Sequence, residues 1–249
     1  MQYNRVGIVL AGGKGTRLYP LTKVVSKQLL PIYNKPVIYY PIETLIRTGH
    51  QQIIIITKPE DKELFKELIL SNKEWNCDFI FLVQEEPRGL PDAFNVAHDY
   101  IINKPSTLIL GDNIIQANLS KVDFNQEEGA SIFLVEVNDP QNYGVIELDK
   151  NNQILSLEEK PIHPKSNKIA IGLYLFDSQV TQKVRHLKPS TRGELEILEL
   201  IMQYHNANAI KAHPLGKSAK WFDVGSYENL FLCNQYFRNN KQSSNAINF

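Results

Sequence analysis

The sequence predicts an α/β fold with a Rossmann-like, mixed but mostly parallel central sheet, helices on both faces and an added β-rich part. Three observations predict it. Short apolar runs alternate with helix-period segments over the first 112 residues, as in successive βαβ units. The run of four isoleucines in QQIIIIT needs cover on both faces, which only a sheet layered between helices provides. After Leu119 the alternation gives way to strand-type segments with hardly a helix between them.

The elements follow in order. RVGIVLA reads as a buried strand, and PVIYYPIETLIRTG as a helix stopped at Gly49. QQIIIIT is the second strand. KPEDKELFKELIL is a helix, with Pro59 and early acids at its start. DFIFLV is a strand, PDAFNVAHDYI a helix and STLILG the fourth strand. In the second half ASIFLVEV, YGVIELD, QILSLEE and KIAIGLYLFD read as strands, with a turn at Asp149–Asn152. Helices return at SQVTQKVRHL, GELEILELIMQYH and SYENLFLCNQYF. A single domain is expected over 1–239, divided into halves at 1–115 and 116–239, with 240–249 a frayed polar tail.

The 249 residues suffice for one large core, and the net charge of zero gives no support for nucleic-acid or membrane binding. Residues 1–50 nevertheless carry Arg5, Lys14, Arg17, Lys23, Lys27, Lys35 and Arg47 against the single acid Glu43. A local basic region in a neutral protein suits a small anionic ligand. Cys77 and Cys233 make neither a metal spacing nor a disulfide framework, so a soluble protein of the reducing cytoplasm is expected. No signal-peptide pattern or membrane-length apolar run is present in the sequence.

In a doubly wound sheet ligands sit at the carboxyl ends of the strands. The loop AGGKGTRLYP lies at the end of the first strand and GDN, residues 111–113, at the end of the fourth, so both fall on one edge. Gly12, Gly13 and Gly15 can form an anion-binding backbone nest, with Lys14 and Arg17 as charge partners. Neither Gly12 nor Gly13 begins the G-x-x-x-x-G-K-[ST] spacing of a P-loop. The dinucleotide fingerprint fails at Leu18, where its last glycine belongs, and Thr57 and Lys58 stand where its ribose-binding acid would be. A P-loop ATPase and a dehydrogenase are excluded.

The string LAGGKGTRLYPLTKVVSKQLLPIYNKPVIYYPI, followed in order by LGDNI, YGVIELD, SLEEKP, GLY, RGELEI and KWFDVGSYENL, resembles the sugar-1-phosphate nucleotidyltransferase family. Within that family it is similar to the glucose-1-phosphate thymidylyltransferases, in a short form. The likeness spans roughly residues 4 to 238. It implies condensation of a nucleoside triphosphate with a sugar 1-phosphate, giving a nucleotide sugar and pyrophosphate. A phosphomonoester, with a second pKa of about 6, already supplies an anionic nucleophile. No general base is needed, and no His, Ser or Cys constellation is present.

By this resemblance Arg17 neutralises the departing pyrophosphate, Lys27 the triphosphate, and Lys160 the sugar phosphate. Asp112 and Asp223 hold Mg²⁺. Leu10, Ala11, Gly12, Gly13, Gly15 and Thr16 surround the nucleotide, with Gln28 near the ribose and Gln84 and Gly89 at the base. An amide in that place suits the O4/N3–H edge of thymine or uracil, which leaves dTTP and UTP open with dTTP expected. The sugar positions are Leu90, Asn113, Gly144, Glu159, Gly172, Tyr174, Leu198 and Trp221. Leu198 stands where the family pattern R-G-E-L-E-I-T-D has a threonine, so a deoxy or modified hexose is an alternative to glucose. The extra C-terminal helices of longer members have no counterpart here, so their allosteric nucleotide site is not carried over and the homo-oligomer can differ. A glycosyltransferase would be expected to carry a second aspartate in GDN, and a mere sensor has no need of Arg17, Lys27, Asp112, Lys160 and Asp223 together.

Overall fold

The computed structural model describes residues 5–240. The polar tail beyond, and the first four residues, lie outside them. The central sheet is built around β1 (Val6–Leu10), whose side chains alternate between two cores. Val6, Ile8 and Leu10 join one apolar cluster, and Val9 and Ala11 the other. Both are buried because helices cover both faces.

The chain next makes a short ribbon, β2 (Pro31–Ile32) and β3 (Lys35–Pro36), then α1 (Tyr39–Arg47) and β4 (Gln52–Thr57). Four consecutive isoleucines in β4 are fully buried, as a strand covered on both faces requires. Helix α2 (Lys62–Ser71), β5 (Asp78–Val83), α3 (Asp92–Val96), α4 (His98–Ile101) and β6 (Ser106–Leu110) complete the first half. Strands β5, β4, β1 and β6 pair in parallel in that order. The helix expected over 91–101 is two short helices that meet at Ala97.

The second half contributes β7 (Asn113–Gln116), β8 (Ala130–Glu136), β9 (Gly144–Leu148), β10 (Ile154–Glu159) and β11 (Lys168–Phe176). Then come α5 (Val180–Arg185), α6 (Ile197–Asn206), β12 (Ile210–Pro214), β13 (Lys220–Asp223) and α7 (Tyr227–Asn239). Strand β11 joins the halves: Leu173–Phe176 pair antiparallel with β6, while Ile169 pairs with β9. Its other edge carries β8, which β12 extends in parallel. The result is the mixed, mostly parallel sheet expected. Periodicity does not mark β12, whose five residues include Lys211, His213 and Pro214, nor the separate β7–β13 ribbon, whose strands have four residues each.

The core partly disperses the basic cluster of the first fifty residues. Arg5 is buried and donates from Nη1 to the carbonyls of Ser106 (2.8 Å) and Phe176 (3.2 Å), and from Nη2 to that of Gln126. Burial lowers its pKa to about 10, against the charges of Asp123 and Asp177. Lys35 is paired with Glu43 at 2.6 Å. Both cations are therefore structural, and the anion-facing charge reduces to fewer residues than the count suggests.

Candidate active site

Parallel pairing of β1 with β6 sets the glycine loop beside the GDN turn. Ala11 closes β1 with a 2.7 Å bond from its N–H to the Ile56 carbonyl and is itself fully buried beneath the loop. The chain then opens into a cavity of about 380 Å³. Leu10, Gly12, Gly13, Gly15 and Thr16 form one wall, with Lys27, Gln28 and Asp112 behind them. Gln84, Gly89 and Leu90 close the far side. Eleven of the residues given a role by the resemblance thus share one cavity. Lys14, Pro87, Leu110 and Glu194 also line it. A larger hollow of about 790 Å³ at the opposite edge of the sheet, around Arg5, Asp177 and Tyr204, contains none of the candidates.

Gly89 fixes the far wall. Its φ of 98° lies in the left-handed region, and a Cβ there would come within 2.1 Å of the Leu195 carbonyl oxygen. The close approach lets Leu195 donate its N–H to the Arg88 carbonyl at 2.8 Å. That contact carries Glu194 into the cavity from the second half of the chain, a placement no local motif announces.

At the mouth, Asp112 and Asp223 are brought together by the β7–β13 ribbon. Asp223 lies opposite Asn113, and the Val224 N–H donates to the Asp112 carbonyl at 3.0 Å. Asp112 is buried, yet the adjoining Lys27 ammonium and a 3.1 Å bond from Asn113 Nδ2 outweigh that burial and hold its carboxyl below the ordinary range. Asp223 goes the other way. Burial and the charge of Asp112 push it up to about 6, against Arg17 and Lys27. Arg17 Nη2 stands 3.7 Å from Asp223 Oδ2, with its side chain largely in solvent.

Among the described residues no three His, Cys, Asp or Glu side chains gather into a metal cage. The donor set nevertheless fits a divalent cation that takes its remaining ligands from substrate phosphates and water. Two facing carboxylates, one of them penalised by the other, are what such a cation relieves.

Of the positions expected to hold the sugar, Leu90 lines the cavity, and the others gather near the split in the sheet. Gly172 lies in β11 between the residues that pair with β9 and those that pair with β6. A Cβ there would strike Leu110 at 2.6 Å and Asn113 Oδ1 at 2.8 Å. Without one, Gly172 N–H donates to Asn113 Oδ1 at 3.1 Å, and Trp221 Nε1 donates to the same oxygen at 2.6 Å. Glu159 ends β10 within reach of Gly144, and Lys160, in the left-handed region at φ 46°, holds its ammonium 3.6 Å from Glu159. Leu198 packs against Gly144, 3.2 Å from where a Cβ would be, and belongs with Tyr174 to a buried apolar cluster. Neither of the two lines that cavity, nor do Arg17, Asp223, Lys160 and Trp221.

Two polar side chains that support the site, Asp92 and Ser26, receive no role from the sequence, although Ser26 lies within the SKQLLP stretch. Asp92 Oδ2 accepts from Gln84 Nε2 at 2.9 Å, and Ser26 Oγ donates to Gln28 Oε1 at 2.8 Å.

The profile of the nucleotidyl transferase family matches residues 6–240. The glucose-1-phosphate thymidylyltransferase of Xanthomonas campestris pv. campestris is 43% identical over 231 residues, covering 91% of this chain and 78% of that one. The enzyme of the same name from Neisseria meningitidis is 42% identical, covering 90% and 79%. Among solved structures, one from Bacillus anthracis, assigned as a glucose-1-phosphate thymidylyltransferase and bound to sucrose, superposes with a TM-score of 0.87. It is 35% identical, with 98% of this chain and 97% of that chain covered. A UDP-glucose pyrophosphorylase at 23% identity and TM-score 0.82 shares the fold. With a matching profile across nearly its whole length and relatives above 40% identity, this chain belongs to the nucleotidyl transferase family.

Proposed function

We propose that the chain joins dTTP to glucose 1-phosphate, giving dTDP-glucose and pyrophosphate, with Mg²⁺ as its metal. The observation that carries the reaction class is the meeting of the glycine loop, Lys27 and Asp112 in one cavity, with Asp223 close enough to feel the charge of Asp112. The shared name of the relatives supports the substrate pair. No described helix is long and apolar enough to cross a membrane. Free Cys77 and Cys233 suit a reducing cytoplasm.

The glycine loop and Thr16 receive the triphosphate. Lys27 offsets its charge, and Arg17, extended into solvent beside Asp223, takes up charge on the leaving pyrophosphate. Lys160 and Glu159 hold the phosphate and hydroxyls of the sugar, and Asn113, fixed by Trp221 and Gly172, orients its ring. Residues 1–115 supply most nucleotide contacts and 116–239 most sugar contacts. Asp112 and Asp223 would hold Mg²⁺, which would supply charge neutralisation at the phosphates. The phosphate oxygen of the sugar attacks the α-phosphorus in line, so positioning and charge do the catalysis.

A second reading concerns the sugar alone. Leu198 presents hydrocarbon beside Gly144, which favours a hexose with a hydroxyl missing or replaced. Pyrophosphate release measured over a matrix of dTTP and UTP against glucose 1-phosphate and deoxyhexose 1-phosphates separates the readings. Fastest turnover with dTTP and glucose 1-phosphate is expected. A chain that releases none across the matrix overturns the assignment.

A further inference from the structure

Gln84 ends up with one side of its amide committed. Its backbone N–H is taken up by the Thr57 carbonyl at 2.9 Å, which leaves recognition to the side chain. There Nε2 donates to Asp92 Oδ2 at 2.9 Å, and more weakly to the Gly89 carbonyl at 3.5 Å. Asp92 is buried and held in turn by Asn95 Nδ2, which donates to Oδ1 at 3.1 Å. Oε1 of Gln84 points the other way. A Cβ on Gly12 would stand 3.1 Å from it, and it takes no hydrogen bond from any described residue. Both Gln84 and Gly12 line the nucleotide cavity.

The direction of this amide follows from chemistry. A carboxylate only accepts, so its partner must be the NH₂ end, and the carbonyl is left for the ligand. A flipped amide would set two oxygens against each other in a buried place. Gln28 makes the contrast: its partner Ser26 has a hydroxyl that can donate or accept, so nothing fixes that amide in one sense.

We propose that Asp92 is a positioning residue that locks the Gln84 amide with its carbonyl toward the base, and so restricts the enzyme to bases with a ring N–H donor. Thymine and uracil carry N3–H. Cytosine carries a bare N3 acceptor, which would face Oε1 lone pair to lone pair. This inference rests on the assignment of the cavity to a nucleoside triphosphate.

Replacing the carboxylate by an amide frees the pair to turn over, because the amide introduced by D92N could donate to Oε1 of Gln84 and leave Nε2 facing the base. The test compares kcat/KM for dTTP and dCTP in wild type, D92N, D92E and Q84A. Asp92→Asn is expected to lower the dTTP:dCTP preference by about tenfold or more, through a rise in KM for dTTP and a fall in KM for dCTP. Asp92→Glu, which keeps an acceptor-only partner, should recover most of the preference. Adding D92N to Q84A should leave the ratio where Q84A alone puts it. A purely structural role for Asp92 predicts instead equal losses for both triphosphates and an unchanged ratio, and that result overturns the proposal. Should D92N fail to fold, D92A decides: without the carboxylate the Gln84 amide is free to turn, so a dTTP:dCTP preference lowered by about tenfold or more supports the lock, and an unchanged ratio overturns it. If wild type turns over no triphosphate at all, the reading of the site has failed rather than the role of Asp92, and binding of dTTP and dCTP to wild type and the Asp92 variants decides the latter.

Discussion

Trp221 Nε1 donates to Asn113 Oδ1 at 2.6 Å, and the same oxygen receives the Gly172 N–H at 3.1 Å. One side-chain oxygen therefore ties β13, β7 and β11 together at the point where the sheet divides. Two donors on one acceptor leave Asn113 a single orientation, with its Nδ2 turned to Asp112.

Replacing Trp221 by Phe keeps the ring that packs edge-on against Tyr143 at 5.5 Å and removes only the donor. Asn113 then keeps one of its two fixings. The expected result is a rise of roughly tenfold in KM for the sugar 1-phosphate, with KM for dTTP little changed. Steady-state kinetics with each substrate varied in turn measures the split. Equal effects on both would place Asn113 outside the sugar site.

Lys27 and Asp112 form the most enclosed ion pair at the mouth. Lys27→Ala leaves two buried carboxylates facing each other without that cation. Turnover should fall by about 100- to 1,000-fold, the usual loss for a charge aimed at a reacting phosphate. Thermal melting with and without Mg²⁺ gives the second readout. The variant should gain more from the metal than wild type does, since the metal becomes the nearest positive charge. A variant that melts and responds like wild type would remove Lys27 from the electrostatics of the site.

The legible part of this protein is the part that local pattern governs. β1, β4 and β6 are apolar runs with no competing period, and their parallel order followed from the helices between them. The loop and GDN could be placed on one edge for that reason. The β7–β13 ribbon is different, because Asn113 and Asp223 are 110 positions apart and each strand has only four residues. Nothing in either segment states the pairing. Charge counting also misled in part, since Arg5 was counted with the ligand-facing cations and instead fastens backbone carbonyls inside the core. Asp92 escaped because its meaning lies in a hydrogen bond across a turn, not in a spacing that recurs.

Arg5→Met supplies similar bulk without the guanidinium. It strands the carbonyls of Ser106, Phe176 and Gln126, which converge from three segments. A loss of about 3 kcal/mol is expected in urea unfolding, close to that for breaking other buried charged contacts. Activity per folded molecule should persist, because the site lies at the other edge of the sheet. A loss of turnover without a loss of stability would show that Arg5 serves the ligand after all.

His50 makes stability depend on acidity. Burial lowers its pKa to about 4, a hydrogen bond to the Leu45 carbonyl opposes the shift, and the charge of Arg5 adds to it. The ring bridges Leu45 O at 3.0 Å and Thr107 Oγ1 at 2.9 Å, so Nδ1 donates to the carbonyl and Nε2 accepts from the hydroxyl. That arrangement needs the neutral ring. The unfolded chain takes up a proton below its ordinary pKa of about 6.5, while the folded protein resists until about pH 4. Between those values the unfolded state holds more protons, so stability falls as pH drops through the window and levels off below it. The full loss is about 3 kcal/mol, from 1.36 kcal/mol per unit. His50→Gln, which can keep one hydrogen bond but cannot titrate, should be less stable at pH 7 and show a shallower decline from pH 6.5 to 4. Urea midpoints at closely spaced pH values measure both slopes. If the two proteins lose stability in parallel across that window, the acid sensitivity belongs to other groups and His50 is charged in the folded state.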